Sequence, residues 1–286
     1  MGLLIKNGIK AKLIQSNDGF DLYNLAELRF FIKKIEANTA TPLISDKLWR
    51  DTKNELQERY KNSECLPLCL NMLNAFELSN EKKYMTDLIM FLHESKLEDF
   101  YQAEQGVVLV STIHKAKGRE FDKVYMMLDN APAADDAERR KIYVGITRAK
   151  NELYIHCNND TFDGFEIDGA EMVTDSRRYY PPEEITIQLT HRDINLGYFK
   201  DKKKLILHIQ SGSLLQIRGA ELYAEFNGKF YPVVKFSKGF NDWIQRLAQR
   251  GFHPIGAKVR FVVAWHEKDN EQEYAVILPE VYFGKG

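Results

Sequence analysis

The chain has few cysteines, no long apolar run and almost no net charge, and each shortage removes a class of protein. Its three cysteines, Cys65, Cys69 and Cys157, are too few and too badly spaced for a zinc site, and the string CLPLC is not C-x-x-C. They read as reduced thiols of an intracellular protein. No apolar stretch approaches the ~18 to 20 residues that cross a bilayer, and no secretory signal is evident, so the expectation is a cytoplasmic chain without a membrane. Lys and Arg number 40 against 41 Asp and Glu, a formal net charge of −1. A global polycation is thereby excluded, and any contact with nucleic acid must come from local patches. Internal repeats and low-complexity tracts are also missing. What remains, at 286 residues and 44% hydrophobic, has room for about two domains, each with a core of its own.

The richest stretch runs from Val107 to Cys157. An apolar run, Val107 to Val110, empties into a basic, glycine-containing turn from Ser111 to Glu120. A second run, Val124 to Leu128, leads toward a helical segment, Glu138 to Thr147, followed by a strand from Glu152 to His156. The two runs read as buried strands. Within this stretch lie Thr112, His114, Lys117, Gly118, Glu120 and Phe121, and later Arg139, Arg140, Tyr143, Val144, Thr147, Arg148 and Ala149.

Those residues resemble the last two signature motifs of UvrD/Rep-type superfamily 1 DNA helicases, T-x-H-x-x-K-G-x-E-F and R-R-x-x-Y-V-x-x-T-R-A. One departure is visible: Arg119 stands where the family has an apolar residue. The resemblance implies an α/β fold, a RecA-like parallel-sheet lobe with a short helical insertion, and a reaction that uses ATP and Mg²⁺. It assigns Arg148 as the arginine finger, a planar fork that meets the charge developing on a transferred phosphoryl group. Gly118, Glu120 and Arg140 are implied to face the nucleotide, Gly118 because its turn is expected to lack room for a Cβ. Thr112, His114, Lys115 and Lys117 are implied to meet the phosphates of single-stranded DNA. Tyr143 and Val144 are expected in the core. No protein metal site is expected.

A Walker A loop, G-x-x-x-x-G-K-[ST], is absent from the sequence. The chain is therefore expected to be the C-terminal piece of a longer ATP-dependent helicase, its partner an N-terminal ATPase lobe of the same polypeptide, and the piece alone inactive. The competing reading is a non-catalytic DNA-binding or protein-interaction module on a helicase-like scaffold.

The rest of the chain divides by pattern. Residues 1–36 and 101–159 are assigned to the lobe, 37–100 to the helical insertion, 160–195 to an acidic linker, and 196–286 to a small, mostly β, barrel-like domain. The linker rests on eight acidic residues against Arg177 and Arg178 between positions 160 and 184. Strands are expected at Lys204 to Ile209, Leu214 to Ile217, Leu222 to Phe226, Phe230 to Val234, Val259 to Trp265 and Glu273 to Leu278, with Asn227-Gly228 as a hairpin turn. This domain is expected to fold alone. Its basic and aromatic residues suit single-strand binding or a protein partner, and the plainer reading places most of the aromatics in its core.

Overall fold

The computed structural model describes residues 4, 7–13, 20–39, 41–100, 106–116, 118–128, 136–158, 162, 168–176, 182–266 and 273–286. In chain order these form β1 (Ala11–Leu13), α1 (Ala26–Asn38), β2 (Leu43–Ile44), α2 (Asp46–Arg59), α3 (Leu66–Ser79), β3 (Lys83–Tyr84) and α4 (Met85–Glu94). Next come β4 (Val108–Val110), β5 (Phe121–Leu128), α5 (Asp136–Ile146), β6 (Ala149–Cys157) and β7 (Glu184–Gln188). The chain continues through α6 (Lys203–Ile206), β8 (Leu214–Arg218), β9 (Glu221–Phe226), β10 (Lys229–Lys235), α7 (Lys238–Ala248), β11 (Phe252–His266) and β12 (Glu273–Lys285). They gather into two compact units, one of residues 3–15 and 104–181 and the other of 16–103 and 182–286.

In the first unit every pairing among the described residues is parallel. β1 lies beside β4 with Ala11 opposite Val108, and β5 lies beside β6 with Tyr125 opposite Tyr154. Parallel neighbours need a crossover, and α5 supplies it between β5 and β6. The expectation of buried strands fails here. Met126 is buried, whereas Tyr125 (56% exposed) and Met127 (71%) point outward, and the Tyr125 and Tyr154 rings stack at 4.7 Å. Val108 of β4 is also exposed. An apolar run does not say how many of its faces will be covered, and α5 packs on one side only of this strand pair among the described residues.

The second unit joins helices α1 to α4, α6 and α7 to an open antiparallel sheet in the order β10-β9-β8-β11-β12-β7. The sheet does not close, which corrects the barrel-like expectation. Asn227 (φ 50°) and Gly228 (φ 75°) turn β9 into β10, both residues left-handed as a two-residue hairpin of this hand requires. Ser45 caps α2 and Ser237 caps α7, each hydroxyl accepting a backbone N–H of the first turn. Leu28, Phe31, Ile32 and Ile35 form the buried apolar stripe of α1, continued by Leu25 just before it, and the Trp49 ring of α2 lies between Phe31 and Phe76.

That helical core is continuous with the core of the sheet. Phe20 meets Phe261 edge to face at 5.4 Å, Leu25 bridges to Val263, and Lys258 pairs with Glu64 at 2.9 Å. The sequence-based partition needs three corrections. Residues 20–36 belong with the second unit and not with the parallel strands. Residues 184–188, within the segment read as linker, form edge strand β7, and residues 203–206 form a helical turn where a strand was expected. The apolar stripe of α1 specifies that a partner exists without specifying which one, so the sequence could not place it.

Candidate nucleotide and nucleic-acid site

The first unit carries both motif turns at the ends of its strands. After β4 the chain enters a 3₁₀ turn, Ile113–Ala116, whose start is closed by Thr112: its carbonyl accepts the N–H groups of Lys115 (3.1 Å) and Ala116 (3.3 Å). Thr112 and His114 are exposed and Lys115 is half-exposed, all at one tight turn. Lys117, expected on the same track, lies outside the described residues. Gly118 sits at φ +83°, a left-handed backbone that favours glycine. A Cβ built on it would meet nothing within 4 Å, so the expected crowding is corrected: backbone conformation, not lack of space, accounts for this glycine.

Arg148 follows α5 directly. Its Nε donates to the Val144 carbonyl at 2.9 Å, Nη1 to the Arg119 carbonyl at 3.0 Å and Nη2 to Thr147 Oγ1 at 3.1 Å. In return the Arg148 carbonyl accepts the Phe121 N–H at 2.8 Å. The two turns, about 28 residues apart in sequence, are thus tied side chain to backbone and backbone to backbone. The Arg119 departure is accommodated, because the bond to Arg148 uses the carbonyl and is indifferent to the side chain at that position. Glu120 is exposed, with Lys150 Nζ 3.9 Å from its carboxylate. Arg140 is exposed on α5 and makes no ion pair among the described residues. Tyr143 is 68% exposed and Val144 is half-buried, which corrects the expectation that Tyr143 is a core residue. Its position three residues after Arg140 puts both on one face of α5.

Gly145 was not singled out by sequence. A Cβ there would fall 2.7 Å from Met126 Cε and 3.5 Å from Ile113 Cδ1, so its absence lets α5 lie close against β5 and the 3₁₀ turn. The signal was available, since a glycine inside a helical pattern generally has a packing reason. No group of three or more His, Cys, Asp or Glu able to hold a metal occurs among the described residues. No helix among them is long and apolar enough to cross a membrane.

Strand, polar turn, crossover helix and parallel strand, with the two turns bonded to each other, define a parallel α/β lobe that carries Arg119, Glu120 and Arg148 at the start of β5 and β6. The chain belongs to the UvrD-like helicase C-terminal domain family, whose model matches residues 8–160. It is 30% identical over 173 residues to the ATP-dependent DNA helicase PcrA of Bacillus subtilis, covering 52% of this chain and 23% of that protein. Similarity to DNA helicase II of Haemophilus influenzae is 38% over 85 residues, 25% of this chain and 12% of that one. The mitochondrial ATP-dependent DNA helicase HMI1 of Saccharomyces cerevisiae is 41% identical over 75 residues, 25% of this chain and 10% of its own. The chain spans less than a quarter of the length of each of these relatives. No solved structure matches.

Proposed function

We propose that the chain supplies the second motor lobe of an ATP-dependent DNA helicase, working in the cytoplasm with an ATPase lobe that carries the Walker A loop. The observation that carries this reading is the double tie between the two turns, Arg148 to the Arg119 carbonyl and Phe121 to the Arg148 carbonyl. It fixes the base of the arginine beside Glu120 at the strand ends. Three of the five guanidinium N–H donors are engaged by this lobe, so the fork is oriented and two donors remain for an anion. Arg148 is the arginine finger of this proposal, and Gly118, Glu120 and Arg140 face the nucleotide with it.

ATP with Mg²⁺ supplies the phosphoryl group whose transfer to water drives the motor. The described residues here suit an anion and include no carboxylate cluster, so Mg²⁺ is assigned to the other lobe. Thr112, His114 and Lys115 at the 3₁₀ turn would donate to phosphates of single-stranded DNA. The inactivity of the chain alone follows from its lack of a Walker A lysine.

The test is Arg148→Ala in the complete helicase. Turnover should fall by about 10³ or more with single-strand affinity near normal, because the guanidinium acts on transition-state charge. A variant that keeps a third of the wild-type kcat removes Arg148 from this role.

A further inference from the structure

The aromatics of the second unit divide into two sets. Phe199, Phe236 and Phe240 are buried, as the plainer reading of them requires. Tyr223 and Phe230 are not among them. On β8, β9 and β10 the inward side chains Leu215, Leu222, Ala224, Val233 and Val234 are buried. Strand alternation then turns Gln216, Arg218, Tyr223 and Phe230 to the opposite face. Phe230 is 40% exposed there. The Arg218 guanidinium carbon lies 4.8 Å from the Tyr223 ring centre and 4.8 Å from that of Phe230, and Gln216 Oε1 accepts from its Nε (3.1 Å) and Nη2 (2.7 Å). A planar cation thus lies against two rings, held by a neighbouring amide, on a surface the core does not need.

Charge on and around this face is positive. Arg218 and Lys235 on the strands and the four lysines between positions 200 and 204 stand against Asp201, Glu221 and Glu225. Glu221 is further occupied, accepting the Tyr223 hydroxyl at 3.0 Å and that of Tyr198, while Lys202 lies 4.9 Å over the Tyr198 ring. Rings and a guanidinium plane accept the face of any unpaired base, and flanking lysines meet the phosphates between them. Paired bases present no free face.

We propose that the outer face of β8, β9 and β10 is a binding surface for single-stranded DNA, on which bases stack against Tyr223, Phe230 and Arg218 while Lys202 and Lys235 meet the backbone. The identity of the strand rests on the helicase reading, as the DNA on which the first unit acts. The surface itself is independent of that unit's turns.

The experiment measures fluorescence anisotropy of labelled oligo-dT and of a labelled duplex with the full chain, across a salt series. Arg218→Ala with Phe230→Ala should weaken oligo-dT binding by about tenfold or more, each lost stacking contact being of that order, and should leave duplex binding unchanged. A second variant, Lys202→Glu with Lys235→Glu, reverses two positive charges without touching the stacking residues and should lower both affinity and salt slope. His114→Ala with Lys115→Ala separates the two readings. If that change abolishes binding while both patch variants bind as wild type, the patch proposal is overturned and the lobe reading stands. The patch proposal is equally overturned if duplex and oligo-dT bind alike and the first double variant affects neither. If the patch variants lose binding while His114→Ala with Lys115→Ala retains it, the patch stands and the first unit's DNA track fails.

Discussion

Glu27 is a carboxyl group with 1% exposure on α1. One oxygen accepts the Ser63 hydroxyl at 2.6 Å and the other has no hydrogen-bond partner in its buried setting. Burial raises its pKa above the ordinary carboxylate value, and the Ser63 bond offsets only part of that. The folded state therefore holds the proton more tightly than the unfolded chain does. Its contribution is fully present below the unfolded pKa near 4.5 and is lost as pH rises through the folded value. Glu27→Gln mimics the protonated form and keeps an acceptor for Ser63. At pH 8 it should raise Tm by a few degrees, the shift that about 1 kcal/mol gives in a chain of this size, and it should flatten the dependence of Tm on pH. A variant less stable than wild type at pH 8, with the slope unchanged, would show that Glu27 is ionised and paired. Two thiols share this neighbourhood. Cys65 and Cys69 are buried, and burial followed by the nearby Glu27 pushes both thiols up, whereas Cys157 is exposed. Titration with a thiol reagent should find one group reacting at once and two only on unfolding. Cysteine spacing excluded a zinc cluster, but it could not separate the exposed thiol from the inert pair, because that difference arises from packing between α1, α3 and β11.

Elements were legible where a periodic pattern had a single interpretation. The helical character of residues 37–100, the helix near residues 138–147 and the hairpin at Asn227-Gly228 lie close to their expected places. The turn pair was legible for another reason: its residue types are fixed by chemistry and backbone conformation, as at Gly118. Close approach between elements left little trace, and α5 shows what that conceals. Gly145→Ala gains about 1 kcal/mol of helix propensity. It also presses on Met126, whose flexible sulfur end can swing away, so the net change should be small. Gly145→Val adds bulk that Met126 and Ile113 cannot both clear, and should destabilise by about 1–3 kcal/mol. Because α5 ends at Ile146, lifting it also shifts Arg148 relative to the Arg119 carbonyl. Gly145→Val should therefore lower helicase kcat, whereas Gly145→Ala should not. Thermal denaturation of the two variants beside steady-state turnover checks this, and equal stability for both would mean that α5 is not seated closely on β5.

At the scale of the molecule, the helices of residues 20–100 and the sheet of residues 184–285 bury one another. Trp49, Phe31 and Phe76 stand in the same apolar cluster as Phe261, Val263 and Phe283. Sequence patterns show an apolar face on both halves and lead to the expectation that the sheet half folds alone, since a stripe or an alternation carries no address. The consequence is testable by cutting the chain. A fragment of residues 182–286 alone would bare the sheet face that the helices cover. Each large side chain uncovered costs about 1.5–3 kcal/mol. A handful of them exceeds the roughly 5–15 kcal/mol by which folded proteins are ordinarily stable. Severing α1 also removes two partners of Glu273, which accepts from both Arg29 and Lys33 and keeps only His266 in the fragment among the described residues. The fragment should be insoluble or should melt without a cooperative transition. Co-expression of residues 16–103 with residues 182–286, tagged on one piece only, should recover both pieces together with a single transition, because the shared core needs the two surfaces and not the chain between them. A cooperative transition from residues 182–286 alone, at the temperature of the intact chain, would show that the sheet holds its own core and that the helices are merely docked on it.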